Sequence, residues 1–89
     1  MKYEVYFTST AWGHMDFWKK SGQQKILKKI WSLVEELKLH PQTGTGQVEQ
    51  LRGNLSGFWS RRIDKANRMV YKIEEDKVIV TVVSLKGHY

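Results

Sequence analysis

The sequence predicts an α+β fold, with two antiparallel N-terminal helices packed on a mostly antiparallel sheet in the order βααββββ. Three observations carry that prediction. Apolar residues recur at helical spacing between Ala11 and Leu37. Past Pro41 the texture changes to short β-rich runs separated by Gly, Asn and Asp. The chain has only 89 residues and no cysteine, so both halves must share a single core in one domain spanning 1–89.

The elements follow in order. Lys2–Phe7 alternates, with Tyr3, Val5 and Phe7 on one face, and reads as a first strand. Thr8, Ser9 and Thr10 offer N-cap hydroxyls to a helix whose inner positions are Ala11, Met15 and Trp18. Ser21-Gly22 ends it. A second helix over 23–39 carries the stripe Ile26, Ile30, Leu33 and Leu37, widened by Leu27, Trp31 and Val34. His40-Pro41 stops that helix, because the residue before proline is pushed out of the α region. A loop leads to a short strand at 48–51, a turn at 53–57 and a strand at 58–63. Arg68–Glu74 and 77–85 form a hairpin across Glu75-Asp76. The final strand is apolar on both faces, which predicts a place inside the sheet rather than at its edge.

Composition bounds the function. Fifteen Lys and Arg against nine Asp and Glu leave a net charge of +6, which favours an anionic partner such as nucleic acid, an acidic protein or a membrane surface. Lack of cysteine excludes disulfides, thiolate zinc sites and a Cys nucleophile. The start has no signal-peptide run, and the apolar stretch at 78–83 is far too short to span a bilayer, so a cytoplasmic domain without membrane contact is expected. P-loop, dinucleotide and metal-binding spacings are missing, so no cofactor and no metal are expected.

The basic residues fall into two kinds. Lysines populate the helices, whereas all four arginines, Arg52, Arg61, Arg62 and Arg68, sit in one strand-rich segment with Lys65 and Lys72. A guanidinium fork matches phosphate bidentately, and lysine is a flexible point charge. Phe58, Trp59 and Tyr71 interleave with the arginines, a composition compatible with single-stranded RNA recognition and equally with an ordinary core. His14 and His40 read as surface residues, His40 at a helix end.

Cleaving RNA without a metal requires a base for the 2′-hydroxyl, a cation for the phosphorane and an acid for the departing 5′-oxygen. Glu49, Arg68 and His88 supply residue types suited to these roles. Such an inventory occurs in many basic proteins, so it does not by itself select this chemistry.

The run Asn54-Leu55-Ser56-Gly57-Phe58-Trp59-Ser60-Arg61-Arg62-Ile63, followed by Asn67-Arg68-Met69-Val70-Tyr71 and the terminal His88-Tyr89, resembles the YoeB/Txe family of toxins in the RelE/ParE superfamily. The helical pair and Gly44-Thr45-Gly46…Glu49-Gln50-Leu51 fit the same pattern. The resemblance implies a RelE-like fold with a twisted sheet. It also implies a ribosome-dependent endoribonuclease that cuts messenger RNA in the A site and is held inactive by a cognate antitoxin. By the same resemblance Glu49 is the general base, Arg68 stabilises the phosphorane, His88 is the general acid and Tyr89 orients substrate. Arg52, Arg61, Arg62, Lys65 and Lys86 are further candidate phosphate contacts, by charge and position. Relatives often carry an arginine and an aromatic before the final His-Tyr, where this chain has Lys86-Gly87, and the stretch from Arg68 to His88 is slightly longer here. A homodimer is left open by the sequence. So is a second class of function on the same fold, a non-cleaving ParE-like toxin or an antitoxin-bound repressor module.

Overall fold

The computed structural model describes residues 2–87. Its order is β1 (Glu4–Phe7), α1 (Ser9–Lys20), α2 (Gln24–Leu39), β2 (Glu49–Gln50), a 3₁₀ turn (Gly53–Leu55), β3 (Phe58–Arg62), β4 (Arg68–Glu74) and β5 (Ile79–Ser84). The predicted βααββββ arrangement and its α+β class are borne out.

Each helix forms where its sequence asks for one. Thr8 Oγ1 accepts from the Ala11 N–H at 3.1 Å and so caps α1, whose buried face is Ala11, Met15 and Trp18. Gly22, at φ +69°, turns the chain into α2, which buries Ile30, Leu33, Val34 and Leu37. Trp31, assigned by periodicity to the buried stripe, lies at its flank and is 46% exposed, with its ring 6.0 Å from that of Phe7.

The five strands are ordered β1-β5-β4-β3-β2. The β1–β5 pair is parallel and the others antiparallel, which puts the last strand in the interior, as its apolar faces predict. The helices cover one face, and there Val80, Val82, Leu85, Met69, Tyr71 and Ile63 complete the core with them. Side chains alternate along a strand and match across a ladder, so the other, outer face is built from the intervening residues. It carries Phe58, Ser60 and Arg62 of β3, Arg68, Val70 and Lys72 of β4, and Glu49 of β2.

One irregularity re-aims the end of β5. Tyr71 pairs with Val82 but Val70 pairs with Ser84, so Val83 is an extra residue, a β-bulge. Strict alternation from Val80 and Val82 would put Ser84 inward. The bulge turns Leu85 inward instead, and it is fully buried. Thr8 holds the bulge from β1, its N–H donating to the Val82 carbonyl at 3.0 Å and its hydroxyl to that of Val83 at 3.3 Å.

Candidate active site on the outer sheet face

β2 and β4 flank β3, and register brings their charged residues onto one surface. Glu49 stands opposite Ser60, Ser60 opposite Val70, and Arg62 opposite Arg68. Ser60 and Val70 are buried and form the floor. Across it, Arg68 Nη1 lies 4.0 Å from Glu49 Oε1. Glu49 is 54% exposed at its side chain and Arg68 only 14%, so the carboxylate is the more open of the two. A carboxylate beside a guanidinium is a proton acceptor next to a cation that can stabilise a pentavalent oxyanion.

The ends of β3, β4 and β5 add further cations. The turn between β3 and β4 carries exposed Lys65, and Lys86 follows β5, its Nζ 4.7 Å from the Phe17 ring centroid. Arg62 is half-buried beside Arg68. Arg52 belongs elsewhere. It follows β2 near the opposite end of β3, where the Leu51 N–H donates to the Phe58 carbonyl, four residues or ~13 Å along the strand from Arg62. Register thus brings Glu49, Arg62 and Arg68 together on the outer face, whereas Lys65 sits in the β3–β4 turn, Lys86 reaches toward α1 and Arg52 lies past the far end of β3. His88 and Tyr89 lie outside the described residues.

Arg61 is a correction. Proposed as a phosphate contact, it points to the helix side of the sheet and has no exposed surface. Its Nη1 donates to Glu36 Oε1 at 2.9 Å, its Nε to the Tyr71 hydroxyl at 3.2 Å and its Nη2 to the carbonyls of His40 and Thr43. Tyr71 in turn donates to the Pro41 carbonyl at 2.6 Å. The fork thus closes the loop that links α2 to β2. The fit there is tight: a Cβ on Gly44, at φ +119°, would lie 2.4 Å from Glu36 Oε1 and 2.9 Å from Arg61 Nη1. Burial raises the Glu36 pKa, but hydrogen bonds from Thr45 and the Arg61 charge outweigh it and hold the carboxyl below its ordinary value. Tyr71 and Trp59 belong to the core side with Arg61, so the interleaved aromatics are packing here, with Phe58 alone on the outer face.

Sequence reasoning missed a second set of residues, those that hold the chain after β5. His14, expected at the surface, is half-buried, and its Nδ1 accepts from the Leu85 N–H at 3.1 Å. Burial and then the nearby Lys86 charge push its pKa below the ordinary value, which favours the neutral ring that this bond needs. Asn67 Oδ1 accepts from the Gly87 N–H at 2.8 Å, and the Arg68 N–H donates to the Gly87 carbonyl at 3.1 Å. The Asp-x-x-Asn spacing was a readable signal for half of this, since Asp64 caps its own turn by accepting from the Ala66 and Asn67 N–H groups.

Comparison with known proteins agrees with this architecture. A family model described as the YoeB-like toxin of bacterial type II toxin–antitoxin systems matches residues 7–89. Toxin YoeB of Streptomyces coelicolor is 39% identical over 85 residues, covering 96% of this chain and 98% of that protein. The YoeB/ParE toxin from Agrobacterium tumefaciens superposes with a TM-score of 0.90 at 30% identity, over 97% of this chain and 99% of that one. A chain of the heterotetrameric YoeB–YefM toxin–antitoxin complex from Staphylococcus aureus matches with a TM-score of 0.84 at 28% identity, over the full length of both. The class is therefore that of toxins from bacterial type II toxin–antitoxin systems. Within it, the chain belongs to the YoeB-like family.

Proposed function

We propose that this chain is a ribosome-dependent endoribonuclease that cleaves messenger RNA in the A site by attack of a 2′-hydroxyl on the adjacent phosphorus. The observation that carries this reading is the Glu49–Arg68 pair on the open sheet face, 4.0 Å apart, in a member of the YoeB-like family. Glu49 takes the 2′-hydroxyl proton as the new P–O2′ bond forms. Arg68 stabilises the added charge on the phosphorane. His88 gives a proton to the 5′-oxygen as the P–O5′ bond breaks, leaving a 2′,3′-cyclic phosphate and a free 5′-hydroxyl. Arg62, Lys65 and Lys86 draw the RNA backbone onto the face, and Tyr89 orients it. The excess positive charge favours docking on ribosomal RNA, so association weakens steeply with salt.

An antitoxin partner encoded with the chain fits family membership, and the Staphylococcus aureus YoeB–YefM complex is an example of such a pair. An acidic partner would complement the basic outer face and exclude RNA from it.

The test compares the parent protein with His88→Ala on translating ribosomes. The parent should cut the message at the codon in the A site and leave a cyclic phosphate, and the variant should not. Cleavage by His88→Ala at the parental rate would refute the acid assignment. A parent that alters DNA supercoiling and leaves messenger RNA intact would refute the nuclease reading.

A further inference from the structure

The outer face continues past the Glu49–Arg68 pair toward the start of β3, and an aromatic ring stands there. Register puts Phe58 on this face with Ser60 and Arg62, opposite Lys72 of β4. Trp59 and Tyr71 pack with the core beneath the helices, whereas half-buried Phe58 faces away from it, diagonal to buried Val70. Two exposed cations accompany the ring. Lys72 is directly across the ladder, and Arg52 follows Leu51, whose N–H donates to the Phe58 carbonyl at 2.9 Å. Phe58 lies two residues, or ~7 Å, along β3 from Ser60, the residue opposite Glu49. That step is close to the separation of neighbouring nucleotides in an extended single strand. A second aromatic on this face, Tyr6, sits on β1, three strands from β3, and its hydroxyl donates to Glu4 at 3.0 Å. A carboxylate there repels a phosphate backbone, so the ring at the basic edge is the one suited to RNA.

We infer that Phe58, with Lys72 and Arg52, forms a base-stacking subsite for the nucleotide adjoining the scissile phosphate of single-stranded message. The subsite rests on the nuclease reading above and extends its contact with substrate. With a phosphate between Glu49 and Arg68, the RNA backbone runs along β3 toward Phe58. The neighbouring base lies flat on the ring, and Lys72 and Arg52 meet the next phosphate. Every base has a π-face, so such a contact tolerates sequence while it holds the strand in one register. A fixed neighbour presents the 2′-hydroxyl to Glu49 in a single geometry, which is how binding contributes to rate.

The experiment pairs photo-crosslinking with single-turnover cleavage, both on ribosome-bound message. For crosslinking, the message carries 5-iodouridine beside the cut site and a 2′-deoxynucleotide at it, which removes the attacking hydroxyl. Irradiation with the parent protein should join the iodouridine to Phe58 from one of the two positions flanking the cut. Cleavage of ordinary message should slow by about tenfold or more in Phe58→Leu, which keeps apolar bulk and loses the π-face. Phe58→Trp should return to within about threefold of the parent. Lys72→Ala keeps the test open should Phe58→Leu fold poorly, since Lys72 is exposed. Its rate should fall by about threefold, and the deficit should shrink as salt rises. Parental cleavage by Phe58→Leu, as a face that serves only an antitoxin segment would give, would overturn the subsite while the nuclease reading stands. So would a loss that Phe58→Trp does not recover, or a crosslink that maps to residues other than Phe58. A parent protein that cleaves no message would overturn both.

Discussion

Arg61 and Arg62 follow one another in β3, yet Arg61 is wholly buried against Glu36 beneath the helices while Arg62 stands on the outer face opposite Arg68. The two-residue period of a strand splits the pair. The inner arginine closes the loop that delivers Glu49 to β2, and the outer one belongs to the basic surface around Arg68. One dipeptide thus serves packing on one side of the sheet and adds to a basic surface on the other. Substitutions should separate these roles cleanly.

The largest stability effect is expected at Arg61. Arg61→Ala removes the partner of Glu36 and leaves the His40 and Thr43 carbonyls without their donor, which should cost about 3 kcal/mol in urea unfolding. Arg62→Ala should stay within about 0.5 kcal/mol by the same measurement. Equal losses at the two positions would break the comparison. Gly44→Ala comes next, at about 2 kcal/mol, because it combines a left-handed backbone with a Cβ forced onto the Arg61–Glu36 pair.

Acid sharpens the contrast further. The Glu36 carboxyl titrates below its ordinary value of 4.5, so its contribution is complete above that pH and drains away as the pH falls below it. Glu36→Gln should flatten that part of the stability–pH curve. A smaller effect belongs to His14, whose pKa is lowered from 6.5: the folded state resists protonation, so stability should decline as the pH drops below 6.5. His14→Asn should remove that slope, as read from urea midpoints between about pH 5 and 7.

Much of this architecture was legible in the residues. Ala11, Met15 and Trp18 marked the inner face of α1, Pro41 the end of α2, and the doubly apolar 78–83 stretch the interior strand. Three features were not. The Val83 bulge has no local signature, because Val82, Val83 and Leu85 are all plausible core residues and only pairing decides which turn inward. Arg61 resembled its neighbours in a basic cluster, and only the strand's phase assigned it to the core. His14 looked like a surface residue because its partner is a backbone N–H 71 positions away. The candidate site divides in the same way. Charge and composition pointed to a basic anion-binding surface, whereas the pairing of Glu49 with Arg68 came from resemblance to a family and not from their spacing.

Whether the outer face around Arg68 carries the proposed cleavage is decided by the single-turnover rate of Arg68→Ala on ribosome-bound message, measured at parental folded fraction. The rate should fall by about 100- to 1,000-fold, as for loss of a group that stabilises a developing oxyanion, with the urea midpoint nearly unchanged. Cleavage by Arg68→Ala at the parental rate would contradict that assignment.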